Sequence, residues 1–143
     1  MTLKRLLDEI AKLAIEQKCI NYAAAGTSLY ALNPKNIDAY PVLFQSPTGE
    51  HIVSDNSITF EISLYYFDRL LEDNSNDIDI YSAAISQLQN IINGIGTING
   101  VLKVEDGYGI TNFNDTESFD DRLAGAYTTI RIVTENKTLC YEE

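Results

Sequence analysis

The sequence predicts an α+β fold: a mostly antiparallel four-stranded sheet with two main helices packed on one face, in the order α-β-β-α-β-β. Three observations predict it. Apolar residues recur at three- and four-residue steps at the start of the chain and again near its middle, the mark of amphipathic helices. The stretch from Ser57 to Phe67 alternates with a period of two, the mark of a strand with one buried face. A second alternating stretch runs from Arg122 to Thr134.

The first helix has the stripe Leu3, Leu6, Leu7, Ile10, Leu13 and Ala14, with Thr2 placed to cap it. Lys4, Arg5, Asp8, Glu9, Lys12 and Glu16 fill its other face. The stripe packs either on this chain's own sheet or on a neighbouring subunit. From Cys19 to Tyr40 the pattern is irregular. Ala23-Ala24-Ala25-Gly26 reads as a small-residue hinge, and Thr27-Ser28 as the cap of a short helical turn through Leu32, ended by Asn33-Pro34.

Tyr40 to Gln45 reads as a strand, with Pro41 at its start or on a sheet edge. Ser46-Pro47-Thr48-Gly49 is a turn. The next strand carries Ile58, Phe60, Ile62, Leu64 and Tyr66 on one face, and the two strands are expected to pair antiparallel as a long hairpin arm. Asp73 to Asp77 leads into the second helix, whose stripe is Ile80, Ala84, Leu88, Ile91, Ile92 and Ile95. Asp77 and Asp79 favour the helix dipole, and Asn93-Gly94-Ile95-Gly96 supplies a stop. Gly100 to Val104 continues past Asp106-Gly107 toward Ile110–Phe113, with a bulge or bend at Gly107 and Gly109. After an acidic loop from Asn114 to Asp121, the last strand places Ala124, Ala126, Ile130 and Ile132 on one face. Leu123, Tyr127, Thr129, Arg131 and Val133 lie on the other.

The chain has 143 residues, a length that suits a single domain spanning 1–143. Its formal charge is −11, which argues against a free-standing nucleic-acid binder and against an anionic membrane surface. Residues 1–18 carry four basic and three acidic side chains, a net of +1, so the remainder carries −12. Apolar residues make up 45%, enough for a packed core. No apolar run is long enough to span a membrane, and the start lacks a signal-peptide core. Cys19 and Cys140 fit no metal or redox spacing and read as reduced thiols of a cytosolic product, the alternative being a disulfide that ties the two ends together.

Chemistry-bearing motifs are few. His51, the only histidine, has no companion ligand and reads as a surface residue beside a turn. Gly94-Ile95-Gly96 ends a helix instead of opening one, so it is not a dinucleotide fingerprint. Asp73-Asn74-Ser75-Asn76-Asp77 looks like a calcium loop, but Ile78 and Ala84 occupy the positions that need Gly and Glu. The acidic loop with Asp115, Glu117, Asp120 and Asp121 lacks a partner for acid–base work other than Arg122. No catalytic residue, cofactor site or metal site is therefore expected. The triplet Asp-Arg-Leu occurs twice, as Asp68-Arg69-Leu70 and Asp121-Arg122-Leu123, each at a strand end, where such charges can bridge a subunit boundary or simply pair on the surface. Nine tyrosines without tryptophan point to binding or assembly.

Several segments together resemble a known family. They are Leu3-Lys4-Arg5-Leu6-Leu7-Asp8-Glu9-Ile10, then Asn21-Tyr22-Ala23-Ala24-Ala25-Gly26-Thr27-Ser28-Leu29-Tyr30, then Tyr40 to Phe44 with the Ser46–Gly49 turn. Leu64-Tyr65-Tyr66-Phe67-Asp68-Arg69-Leu70, the segment from Asp73 to Ile92, and Asp120 to Ala126 follow. In this order they resemble the small head-to-tail connector, or tail-completion (neck ring), proteins of tailed bacteriophages. The similarity is greatest to those of crAss-like phages of gut bacteria.

The resemblance implies a virion structural protein without enzymatic activity or cofactor, made in the host bacterial cytoplasm and located in the neck or tail. It implies a ring of identical subunits, twelvefold beneath the portal or sixfold at the tail. Its partners would be the portal and neighbouring neck or tail proteins. DNA would pass through the channel without sequence-specific binding, and no membrane is involved. An acidic channel wall would let DNA slide without sticking.

In such a ring each subunit uses two different surfaces. The hairpin arm is favoured over the first helix as the reaching element. Leu64, Tyr66, Asp68, Arg69, Asp121, Arg122 and Arg131 are the candidate interface residues, with Leu64 and Tyr66 also expected to matter for folding. The alternatives are a tail terminator or minor tail protein, or a small soluble ligand-binding domain or enzyme with a pocket between helices and sheet.

Overall fold

A computed structural model orders the elements as α1 (Leu3–Glu16), β1 (Tyr22–Ala25), β2 (Val42–Ser46), β3 (Ile52–Val53) and β4 (Ser57–Arg69), followed by α2 (Asp77–Ile95), β5 (Val101–Val104), β6 (Thr111–Asp115) and β7 (Leu123–Glu135). The structure describes residues 1–17, 20–27, 39–71, 73–115 and 122–136. Cys19, Cys140, Asp121 and most of the short turn expected after Thr27 lie outside the described residues, as does most of the acidic loop.

The frame of the sheet is one ladder. β4 and β7 are each 13 residues long and pair antiparallel along their whole length, from Ser57↔Glu135 to Arg69↔Leu123. On the other side of β4, β2 pairs antiparallel from Val42↔Phe67 to Ser46↔Ser63, as the hairpin reading expects, and the two-residue β3 pairs nearer the tip. On the other side of β7, β5 and β6 pair with its two halves. They form one edge interrupted by residues 105–110, the bend foreseen at Gly107, whose φ of 82° needs a glycine.

The α+β class with both helices on one face holds, but the sheet is larger and mixed. It has seven strands in the order β1-β2-β4-β7-β5, with β3 and β6 attached to the central pair. The correction comes from the short elements. Ala23 to Ala25, read as a hinge, forms the edge strand β1, parallel to β2. The Asn21 and Tyr22 amides donate to the Pro41 carbonyl, and the Gly26 amide to that of Gln45. These bonds hold a run of alanines extended that has little strand preference of its own.

Both helices turn their predicted stripes to the same face of the sheet, α2 burying all of its stripe and α1 half of it, with Leu3, Leu7 and Leu13 half-buried. In α1 the Thr2 hydroxyl accepts from the Arg5 amide at 3.1 Å, and Leu6, Ile10 and Ala14 are buried. In α2 the buried residues are Ile80, Ala84, Leu88, Ile91, Ile92 and Ile95, the six that the spacing selects. They meet Leu43, Phe60, Ile62, Leu64, Tyr66, Ala126, Ile130 and Ile132 in one cluster. Gln45 reaches out of β2 into this layer, and its amide donates to the Leu7 carbonyl of α1 at 3.0 Å. No described helix is long and apolar enough to cross a membrane.

Candidate interaction surface

Alternation along a strand gives the sheet two faces. With Phe60, Ile62, Leu64 and Tyr66 turned toward the helices, Glu61, Ser63, Tyr65 and Phe67 turn the other way. The ladder register then fixes successive rows across this second face. Val42, Phe67, Gly125 and Phe113 form one row. Phe44, Tyr65, Tyr127 and Thr111 form the next. Ser46, Ser63 and Thr129 follow, and then Glu61 beside Arg131.

The face is therefore graded from aromatic to polar. In the aromatic half the Tyr65 and Tyr127 rings stack at 5.5 Å and 25°. Phe113 meets Tyr65 edge-on at 6.3 Å, and Phe44 lies 6.2 Å from Tyr65. Tyr40 meets Phe67 edge-on at 6.4 Å, and the Arg69 guanidinium lies over the Tyr40 ring at 4.9 Å. Each such aromatic pair adds about 0.5–1.5 kcal/mol beyond area burial. Within this face Val42, Phe44, Phe67 and Leu123 are themselves buried, whereas Tyr127 remains 37% exposed. In the polar half the Ser63 and Thr129 hydroxyls pair at 2.8 Å, and Arg131 Nε lies 3.2 Å from Glu61 Oε2.

Asp68-Arg69-Leu70 and the described part of the second triplet, Arg122-Leu123, come to the same end of the ladder. Arg69 pairs with Leu123, and the Leu70 amide donates to the Arg122 carbonyl at 2.7 Å. Arg122 Nη2 donates to Asn74 Oδ1 at 2.6 Å, and its Nη1 to the Leu71 carbonyl at 3.4 Å. Asn76 bridges the same junction, accepting from the Leu71 amide and donating to the Arg69 carbonyl. Asp68 Oδ1 accepts from the Arg69 amide at 2.8 Å. The polar run that resembles a calcium loop is thus a joint between β4 and α2, its side chains turned to the chain's own backbone and to Arg122. The Ser75 amide, donating to Asp73 Oδ1 at 3.0 Å, holds that carboxyl below its ordinary value of 3.8.

The predicted interface residues fall into separate roles. Leu64 and Tyr66 are core side chains, 0% and 2% exposed, and offer no surface to a second chain. Arg69, Arg122 and Arg131 each hold a partner within the chain, as given above. Asp68 caps its own neighbour, and Asp121 lies outside the described residues. The sequence reading missed the aromatic face as a unit. Its signal was present in the odd-numbered residues of β4 and β7, but their cross-strand neighbours become visible only once the register is known.

Three small clefts are lined by described residues. A cleft of about 170 Å³ lies beneath residues 105–108, lined by Glu61, Thr129 and Arg131. One of about 240 Å³ separates α1 from Thr97–Asn99, and one of about 250 Å³ lies between the end of α2 and Val104–Tyr108. All three fall below the roughly 300 Å³ at which small-molecule sites begin. His51 serves the fold: its Nδ1 accepts from the Glu61 amide at 3.3 Å, and its ring meets Phe60 edge-on at 5.4 Å. Among the described residues no cluster of His, Cys, Asp and Glu is arranged to hold a metal ion.

No family model matches this chain, and no curated protein is significantly similar to it.

Proposed function

We propose that this chain is a virion structural protein that forms a ring in the head-to-tail connector of a tailed bacteriophage, around the DNA channel, and joins portal to tail. Beside the resemblance, the observation that carries this reading is the aromatic half of the sheet face turned away from α1 and α2. Tyrosine and arginine are enriched in protein interfaces, tyrosine because it brings large area and a polar tip at low entropy cost, arginine because its planar guanidinium stacks on rings and donates several hydrogen bonds. Tyr65, Phe113 and Tyr127 form such a surface, flanked by Arg69 over Tyr40, on a rigid ladder. The net charge of −11 suits a wall past which DNA slides.

Replacing Tyr127 by Glu tests the surface. The side chain is partly exposed, so the circular dichroism spectrum is expected to stay that of the wild type. Co-sedimentation with the portal of the same phage is expected to weaken at least tenfold, by about 1.4 kcal/mol or more. Undiminished co-sedimentation of a folded Tyr127→Glu variant would remove the aromatic face from this role.

A further inference from the structure

Asparagine followed by glycine occurs twice in the chain, as Asn93-Gly94 and Asn99-Gly100. Glycine has no side chain to shield its backbone nitrogen, so that nitrogen can reach the Cγ carbon of the asparagine before it. The fold treats the two pairs differently. Gly94 lies in the last turn of α2, where the helix ladder engages its amide with the carbonyl four residues earlier. Its carbonyl accepts from the Thr97 amide at 3.0 Å, Leu13 packs against it, and Ile92 and Ile95 beside it are buried. Asn99 and Gly100 are instead the middle of a turn that the Val101 amide closes on the Ile98 carbonyl at 3.0 Å. Gly100 has a φ of 99°, the third-residue conformation of a type II turn. Among the described residues the Gly100 amide meets no acceptor, and the exposed Asn99 side chain makes no hydrogen bond. Arg5 reaches this turn from α1, and its Nη2 donates to the main-chain carbonyl of Asn99 at 3.3 Å.

We propose that Asn99 is a site of spontaneous isoaspartate formation, opened by this turn and directed by Arg5. The Gly100 nitrogen bonds to Asn99 Cγ, the bond from Cγ to Nδ2 breaks, and ammonia leaves with the proton of the Gly100 amide. The product is a five-membered imide with two carbonyls. Water that adds at Cγ breaks the new bond and leaves an aspartate. Water that adds at the former main-chain carbonyl breaks the original peptide bond, so the chain then runs through Cγ and the residue is isoaspartate. Arg5 donates to the oxygen of this second carbonyl, where negative charge develops as water adds, and it faces the resulting carboxylate once the ring has opened. The product has one more negative charge and one more atom in its main chain. That atom enters beside Gly100, whose carbonyl accepts from the Glu135 amide at the end of β7. The reaction needs water alone and proceeds whether or not the chain builds a ring.

Incubation of the folded full chain in mildly alkaline buffer tests this. Anion exchange resolves the product by its added charge. Trypsin cuts after Arg69 and Lys103, so one peptide carries both pairs, and fragmentation mass spectrometry locates the change and separates isoaspartate from aspartate. In the folded chain Asn99 is expected to convert at least about tenfold faster than Asn93, whose glycine amide must first leave the helix. In the chain unfolded by urea the two are expected to convert at rates within about twofold of each other, since only the fold distinguishes them. Arg5→Ala is expected to lower the ratio of isoaspartate to aspartate at Asn99 at least about twofold. Equal rates at Asn93 and Asn99 in the folded chain would overturn the proposal, as would conversion of Asn99 in urea alone. A product ratio unmoved by Arg5→Ala would overturn the part given to Arg5.

Discussion

Gly125 of β7 lies opposite Phe67 of β4, and the strands are so close there that a methyl group on Gly125 would overlap the Tyr66 carbonyl oxygen and stand 2.7 Å from Phe67 Cα. The obstacle is backbone, so no side-chain rotation relieves it. Gly125→Ala is therefore expected to destabilise the fold by about 3 kcal/mol, at the upper end of overpacking costs. Urea unfolding measures it, and a change under about 0.5 kcal/mol would show that the ladder is looser than described.

Two buried threonines of β7 make opposite predictions for one substitution. Thr134 Oγ1 donates to the Ile58 carbonyl at 2.9 Å, whereas Thr128 Oγ1, 1% exposed, meets no hydrogen-bond partner among the described residues. Valine has the same shape without the hydroxyl. Thr134→Val is expected to lower stability by about 1 kcal/mol, and Thr128→Val to raise it by a similar amount, since an unpaired buried hydroxyl costs free energy. Thermal unfolding of the two variants side by side gives the signs. Equal signs would contradict the assignment.

The joint between β4 and α2 rests on Asn74, whose φ of 58° lies in the left-handed region and whose Oδ1 accepts from Arg122. Asn74→Gly keeps the backbone and loses the hydrogen bond, whereas Asn74→Ala loses both. The expected cost is about 1 kcal/mol for Gly and about 2 kcal/mol for Ala. The order of the two variants in denaturant midpoint checks this, and the reverse order would remove the backbone from the explanation.

Asp73 has a folded-state pKa below its ordinary 3.8, mainly because the Ser75 backbone amide bonds the ionised form. A depressed carboxyl contributes stability that is complete above its unfolded pKa and lost as pH falls through the folded value. Asp73→Asn is therefore expected to flatten the fall in stability below about pH 4 and to leave the curve above pH 6 parallel to that of the wild type. Parallel curves throughout would show that this carboxyl carries no acid sensitivity.

The larger elements were legible because burial leaves a period in the sequence. All six stripe residues of α2 are buried, and β4 and β7 divide their side chains between faces as the alternation specifies. What escaped was short or set by partners. Three alanines carry no alternation, so β1 exists through its bonds to β2 rather than through its own preference. Leu64 and Tyr66 were legible as one apolar face, but the helices that cover it belong to the same chain, which turns them from interface residues into core. The arginines were legible as strand-end charges. Their partners Tyr40, Asn74 and Glu61 come from other elements, and only the tertiary fold brings them within reach.

The ring reading is tested most directly by the mass of the purified protein in light scattering, at low and high concentration, with and without the portal. The account predicts a closed assembly, alone or on the portal, whose mass corresponds to twelve or six copies of a 16.0 kDa chain. A protein that stays monomeric or dimeric at every concentration and ignores the portal would contradict it.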